Sequence, residues 1–215
     1  MPPAPSKRST GLPLAAKRLW HDCRRILLGT AAIYLEGRNC ALPHPDGDLR
    51  CHPALRHPSG HIGPGLVALV TDAVTGEPLT LHRTWLKADG SGKAELDRPR
   101  LLWPSLPAKG GVIRLWPDEE VTLGLCVAEG VETALLAAIG FGLAWSTIDA
   151  GNLGDLPVLG GIEALTIVAD SDEGRRGFVA ADACARRWLE AGKEVRVEPA
   201  RTVGTDFNDF ARGAA

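Results

Sequence analysis

Apolar and polar residues follow two different periods in the first half of the chain. Apolar residues recur about every 3.6 positions over residues 12–30, which predicts a helix, and a second short helix is predicted over 30–38. Residues 39–64 are rich in Pro, Gly and His and are typical of a loop with short elements. Apolar, β-branched segments at 65–72 and 78–87 flank a Gly-containing turn, so they predict a β-hairpin.

Side chains in the second strand of this hairpin alternate between two faces of the sheet. One face carries Leu79, Leu81, Arg83 and Trp85, and the other carries Thr80, His82 and Thr84. A further short strand is predicted at 111–117.

The second half of the chain alternates between strand and helix patterns. Strands are predicted at 123–129, 143–148, 163–172 and 194–199, and helices at 131–140 and 173–192. In the second helix the inward residues are Phe178, Ala181, Ala185, Trp188 and Leu189, and Gly192 is the expected C-cap. This alternation predicts an α/β fold, a mostly parallel sheet with flanking helices, preceded by a small α+β subdomain.

Composition and charge divide the 215 residues into three parts. Residues 1–13 are rich in Pro, Ser and Lys and are expected to form a disordered tail. The boundary between the two folded parts, 14–120 and 121–215, separates a basic from an acidic half: residues 1–120 carry a net charge of +4 and residues 121–215 one of −6. A basic half suits phosphate binding and an acidic half suits metal binding, although chance imbalance on solvated surfaces also explains such a split.

Several function classes are disfavoured by the sequence. No apolar segment approaches the ~18 residues that span a bilayer, and the first residues lack the apolar core of a signal peptide, so no membrane partner and a cytoplasmic location are expected. The five Cys are scattered without a CxxC motif, which indicates reduced thiols. No zinc is expected, because the spacing of Cys40, His44, Cys51, His52 and His57 fits structural zinc poorly.

Acidic residues follow three of the predicted parallel strands where each strand ends. Glu129 ends the first, Asp170 and Asp172 end the third, and Asp206 and Asp209 follow the last after a short loop. Ligands of open parallel sheets bind beyond the carboxyl ends of the strands. Carboxylates held close together repel unless a cation neutralises them, and Mg²⁺, with Mn²⁺ as an alternative, prefers hard oxygen ligands shared with substrate phosphates. Any one of these acids alone is better explained as a helix cap, whereas the three sets together favour a metal site.

Glycines and arginines lie next to these acids. Gly130 and Gly174 stand where a strand turns into a helix, and glycine there permits a tight turn and a close approach of the backbone to phosphate. Arg175, in the first turn of the second helix, is equally consistent with a nucleotide contact and with a solvated surface position.

The motifs VAEGVETALLAA, TIVADSDEGRRG and GTDFNDFA, in this order, resemble those of the Toprim domain. The likeness is to the bacterial replicative primase and to shorter Toprim primase-like proteins of phages, plasmids and mobile elements. YLEGRN and the hairpin region resemble the subdomain that precedes Toprim in primases, so the resemblance covers residues 14–213. Two departures from the family pattern are Thr205, where a Lys often stands, and the lack of the zinc ribbon that usually precedes the primase core.

The resemblance implies roles for individual residues. Glu129, Asp170 and Asp172 are implied as catalytic residues and metal ligands, Asp206 and Asp209 as further metal ligands, and Glu132 as a further acidic position of the first motif. Arg83, Lys93 and Arg98 are implied as template or nucleotide contacts, although solvated charge is the alternative for each.

The function expected from these residues and this resemblance is Mg²⁺-dependent synthesis of RNA primers from NTPs on single-stranded DNA, by a primase-like nucleotidyltransferase. A replicative helicase or a separate zinc-ribbon protein is the expected macromolecular partner. Two alternatives stay open: a Toprim nuclease that cleaves phosphodiesters with the same acids, and a non-catalytic nucleic-acid-binding module of a replication or mobile-element complex.

Overall fold

The computed structural model describes residues 11–170 and 176–200. The helices in this part of the chain are α1 (Leu14–Asp22), α2 (Thr30–Glu36), α3 (Val131–Phe141), α4 (Ala150–Asp155) and α5 (Arg176–Glu190). The strands are β1 (Leu49–Arg56), β2 (Ile62–Asp72), β3 (Pro78–Trp85), β4 (Arg100–Leu102), β5 (Gly111–Arg114), β6 (Gly124–Ala128), β7 (Ala144–Ser146), β8 (Ala164–Asp170) and β9 (Glu194–Ala200).

The nine strands within the described residues form one sheet in the order β4-β3-β2-β5-β7-β6-β8-β9, with β1 paired to β2. Strands β7, β6, β8 and β9 run parallel to one another, whereas β1 to β5 pair antiparallel. The two parts join where β5 pairs antiparallel with β7. The α/β fold class, with a mostly parallel C-terminal sheet behind a small α+β part, is therefore confirmed.

Strand β1 lies in the segment that the sequence predicted as loop. It pairs with residues 62–68 of β2, and β5 pairs with Thr71 and Asp72 further along the same edge. The register of β1 shifts between His52 and Leu55, where Pro53 cannot donate a backbone hydrogen bond. Because long-range pairing with β2 stabilises β1, local composition did not predict it.

The first helix is shorter than predicted. It ends at Asp22 rather than near residue 30, and the following chain makes a single antiparallel bridge, Arg24 to Cys51, on the outer edge of β1. Cys23 and Ile26, which fit the helical period, are buried in this non-helical segment. Leu14 and Leu27, which fit the same period, are exposed, so the period predicted neither the end of the helix nor all of the buried positions.

Helix α5 packs on the C-terminal sheet as predicted, with one exception. Ala181, Ala185 and Trp188 are buried in the core on that face. Leu189, predicted to point inward, is 55% exposed, because one further residue rotates the side chain by about 100° away from Trp188. Gly192 has φ of +76°, which confirms the predicted C-cap. Among the described helices, none has the length and apolar character needed to cross a membrane.

Candidate active site at the carboxyl edge of the sheet

The main chain places two of the predicted acids, Glu129 and Asp170, at one edge of the sheet. Strands β6 and β8 are neighbours and parallel, with Ala128 opposite Val168. Glu129 therefore lies one residue beyond this pair along β6, and Asp170 lies two residues beyond it along β8. With strands ~4.8 Å apart and ~3.3 Å per residue, their Cα atoms are about 6 Å apart. We call Glu129 and Asp170 the acid edge.

The backbone at Glu129 is held by strand β7. The Ser146 hydroxyl donates to the Glu129 carbonyl oxygen at 2.8 Å, and the Thr147 amide donates to the Ala128 carbonyl oxygen at 2.8 Å. Gly130 is the N-cap of α3 with φ of −87° and ψ of 150°, an extended conformation open to any residue. The turn itself therefore does not require a glycine, and the predicted role of Gly130 in nucleotide binding stays a prediction.

The donor chemistry of the acid edge fits Mg²⁺. Carboxylates from two adjacent strand ends are hard oxygen ligands, and Mg²⁺ is usually held by one or two carboxylates together with water and substrate phosphates. Residues 11–170 and 176–200 contain no group of three His, Cys, Asp or Glu residues placed to hold a metal. Asp172, Asp206 and Asp209, the other predicted ligands, lie outside the described residues, as do Gly174 and Arg175.

A buried ionic network begins three residues beyond the acid edge. The Glu132 Oε1 atom accepts hydrogen bonds from the Tyr34 hydroxyl at 2.7 Å and from the Lys93 Nζ at 2.9 Å. The side chain of Glu132 is 14% exposed and that of Lys93 is 25% exposed. Burial alone would raise the pKa of Glu132, but the charge of Lys93 and the bonds from Lys93 and Tyr34 outweigh it and lower the pKa to about 2. Glu132 is therefore ionised at neutral pH.

Cationic side chains line the face of β3 that turns towards this network. Residues opposite each other on paired strands share a face, so Arg100 lies on the face of Thr84 and His82. Lys93, opposite Leu86, lies on the same face. Burial, together with the positive charges of Arg100, Lys93 and Arg83, lowers the pKa of His82 to about 4, against the opposing effect of Glu132. We call Lys93 and Arg100, with the neutral His82 between them, the cationic face.

Comparison with known families bears on both halves. Residues 124–215 match the family model described as Toprim domain. This part of the chain is a Toprim domain, as the sequence predicted. Residues 10–115 match a model described as a domain of unknown function, DUF7146. No curated protein matches the chain.

A solved structure shares the fold across both halves of the chain. It is the crystal structure of the Aquifex aeolicus primase, described as its zinc binding and RNA polymerase domains, with a TM-score of 0.53 and 15% identity. The alignment covers 93% of this chain and 57% of the primase chain, so the present chain spans a little over half of that structure. The Toprim domain and the part before it therefore have a primase-like arrangement.

Arg83, predicted as a template contact, points away from the Toprim domain. Its side chain is buried, with the guanidinium 5.2 Å from the ring centroid of Trp85 and 5.1 Å from that of Trp103. It donates to the Leu102 carbonyl oxygen at 3.0 Å. A nucleic-acid contact by Arg83 stays a prediction that this buried position does not support.

The other two predicted cations differ in their surroundings. Arg98 is exposed, so its side chain is accessible to a ligand. Its main chain is held in place, since the Arg98 carbonyl oxygen lies 3.2 Å from the His57 Nε2 atom. Lys93 is largely covered by Glu132, and its ammonium lies beside the Toprim domain. Both predicted ligand contacts stay predictions.

Tyr34, His82 and Arg100 were not predicted from the sequence as residues of the site. Glu132 was predicted only as a further acidic position of the first motif. The alternation of side chains in β3 already separated His82 from Arg83 and could have identified the face that carries His82. The Tyr34–Glu132 contact joins residues 98 positions apart, and no local pattern predicts it.

Proposed function

We propose that this Toprim-domain protein is a primase-like, Mg²⁺-dependent nucleotidyltransferase that makes RNA primers on single-stranded DNA. The observation that carries the proposal is the position of Glu129 and Asp170 at adjacent parallel strand ends, with Glu132, three residues after Glu129, bonded to Lys93 of the cationic face. Carboxylates suit a metal that binds NTP phosphates, and cations suit the phosphates of a template or nucleotide.

In this proposal the residues of the two halves have separate roles. Glu129, Asp170 and Asp172, with Asp206 and Asp209 as further ligands, would hold Mg²⁺, which would supply positive charge for the NTP phosphates and for the transferred phosphoryl group. Ser146 fixes the backbone of Glu129. Lys93 and Arg100 bind and orient phosphate, and Arg98 extends the cationic surface along β4.

Lys93 is proposed to contact the nucleotide rather than the template, because its ammonium lies on Glu132, three residues from the acid edge. Arg100 is proposed to contact the template, because it is exposed on the strand β4 at the outer edge of the sheet. A replicative helicase or a separate zinc-ribbon protein is the proposed macromolecular partner.

The test is incubation of the full chain with labelled NTPs and single-stranded template in Mg²⁺ or Mn²⁺. Template-directed extension, lost in Glu129→Gln and Asp170→Asn, is the expected result. Glu163→Gln is the control, since Glu163 precedes β8 at the opposite edge of the sheet and should leave extension unchanged. Degradation of the template without extension would support a nuclease instead. Binding of the template without either reaction, even with both metals, a replicative helicase and a zinc-ribbon protein present, would support a binding module.

A further inference from the structure

Glu132 is contacted by the N-terminal half of the chain through both its side chain and its main chain. Its carboxylate accepts from Tyr34 of α2 and from Lys93 of the loop between β3 and β4. Its carbonyl oxygen lies 3.4 Å from the Cys40 Sγ atom, a weak donor. Because Glu132 sits in the first turn of α3, directly after the Gly130 cap, these contacts fix the start of the helix that follows the acid edge.

The contacts of the Glu132 carboxylate disfavour metal binding. Both of its described donors approach the same oxygen, Oε1, and one of them is an ammonium group that a metal ion would have to displace. His82 and Cys40 lie close to it, yet within the described residues these side chains do not form a group of three that could hold a metal. The hydroxyl of Tyr34 stays a donor, since burial and the charge of Glu132 raise the pKa of Tyr34 far above its ordinary range.

Lys93 needs such a partner to keep one position. It follows the turn Gly90–Gly92, in which Gly90 has φ of +77° and the Ser91 amide donates to Asp89. A lysine ammonium stands on a flexible stem of four carbons, which loses rotamer freedom when it is fixed. The contact with Glu132 fixes it before any ligand arrives and leaves two of the three ammonium N–H groups available.

We propose that Glu132 is a positioning residue of the nucleotide site and not one of its metal ligands. It holds the Lys93 ammonium ready for a nucleotide phosphate and ties the start of α3, and with it the acid edge, to α2. This inference rests on the proposed function, because it takes Lys93 as the contact to a nucleoside triphosphate. It goes further by separating the two glutamates of the EGVET motif: Glu129 is a proposed metal ligand, whereas Glu132 holds Lys93.

The test is a double-mutant cycle read out as the affinity for a fluorescent ATP analogue in Mg²⁺. Glu132→Gln keeps the shape of the side chain and an acceptor for Tyr34 but removes the charge that holds Lys93. We expect Glu132→Gln and Lys93→Met each to raise Kd about ten-fold, as is typical of residues coupled in one network. The double variant should bind no more weakly than Lys93→Met alone, because Glu132 acts through Lys93.

The matched control is the Lys193–Glu163 pair, whose Nζ and Oε1 atoms are 2.7 Å apart at the opposite edge of the sheet. Glu163→Gln and Lys193→Met should leave Kd unchanged. If Glu132→Gln does not fold, Glu132→Asp replaces it: this variant keeps the charge but is one methylene too short to hold Lys93, and it should also raise Kd.

Three results would overturn the inference. Equal nucleotide affinity in wild type and both Glu132 variants would make the network purely structural. Additive losses in the double variant would mean that Glu132 and Lys93 act independently. Failure of the wild-type protein to bind the nucleotide would overturn the proposed function itself, and this result is distinct from the first two because it appears before any substitution is made.

Discussion

Replacing Glu132 by Gln should destabilise the protein in a way that depends on pH. Glutamine resembles a glutamic acid that is permanently protonated, so the difference in stability between wild type and Glu132→Gln measures what ionisation of Glu132 contributes. Lowering the pKa of this group from the ordinary 4.5 to about 2 corresponds to about 3 kcal/mol of folding free energy at neutral pH. For a chain of this length, that lowers Tm by roughly 6–12 °C.

The sign of the pH dependence follows from the direction of the pKa. A carboxyl group whose pKa is lower in the folded state stabilises the protein above the unfolded pKa, and this stabilisation is lost as the pH falls through the folded pKa. The difference between wild type and Glu132→Gln should therefore be full from pH 7 down to about 5. It should shrink to about 1 kcal/mol at pH 3 and vanish below the folded pKa of about 2.

Urea titrations of both proteins at pH 7, 5, 4 and 3 measure this difference. Glu163→Gln is the control, because the Glu163 side chain is 59% exposed and its pair with Lys193 should contribute little. A gap between wild type and Glu132→Gln that stays constant over this range would refute the reasoning. It would show that Gln changes packing rather than charge. A gap near zero at pH 7 would show that burial cancels the attraction of Lys93.

Three further predictions concern binding and chemistry. Arg100→Ala should weaken single-stranded DNA binding and reduce the slope of log affinity against log salt concentration by about 0.7. Arg83→Ala should instead lower Tm and leave this slope unchanged. Salt titrations and thermal melts that show the same behaviour in both variants would contradict the prediction. Asp170→Asn should abolish dinucleotide synthesis with retention of single-strand binding, and loss of binding would argue against a division of labour. Protein purified without chelator should contain sub-stoichiometric zinc by elemental analysis, and one zinc per chain would prove this expectation wrong.

The acid edge could be predicted from the sequence because it depends on local patterns. Apolar strands that each end in an acid, separated by helices, place Glu129 and Asp170 on one edge as soon as the strands are parallel and adjacent. The parallel sheet, α3 and α5 followed from the same patterns. Features set by long-range pairing did not: β1 depends on β2, and the exposure of Leu189 depends on where α5 meets the sheet.

The strand period and the family resemblance led to different expectations for Arg83. The period of β3 placed it on the same face as Leu79, Leu81 and Trp85, which are apolar. The family resemblance assigned it a template contact. The structure places Arg83 with that apolar face, in a core closed by Trp85 and Trp103. Whether a cation on an apolar face is buried depends on what covers the face, here α1, and a single strand does not reveal that.

The acid edge and the cationic face belong to one rigid framework because the contacts at their seam share residues. Strands β5 and β7 pair at Ile113–Ser146 and Arg114–Trp145. The hydroxyl of that same Ser146 holds the Glu129 backbone, so the acid edge is two contacts away from the N-terminal half. Arg114 closes the seam from within the core, since its buried guanidinium lies over Trp145 and donates to the Ala73 carbonyl oxygen.

Glu132 then forms a second, independent connection on the side of α2 and α3. A hinge between the two halves would have to break the β5–β7 ladder, the Arg114 contacts and the Glu132 network together. Each loss would leave buried polar groups without partners, which makes such a motion costly. The position of the acid edge relative to Lys93 is therefore set by the folded contacts and not by domain closure, so ligand affinity should report directly on single contacts such as that between Glu132 and Lys93.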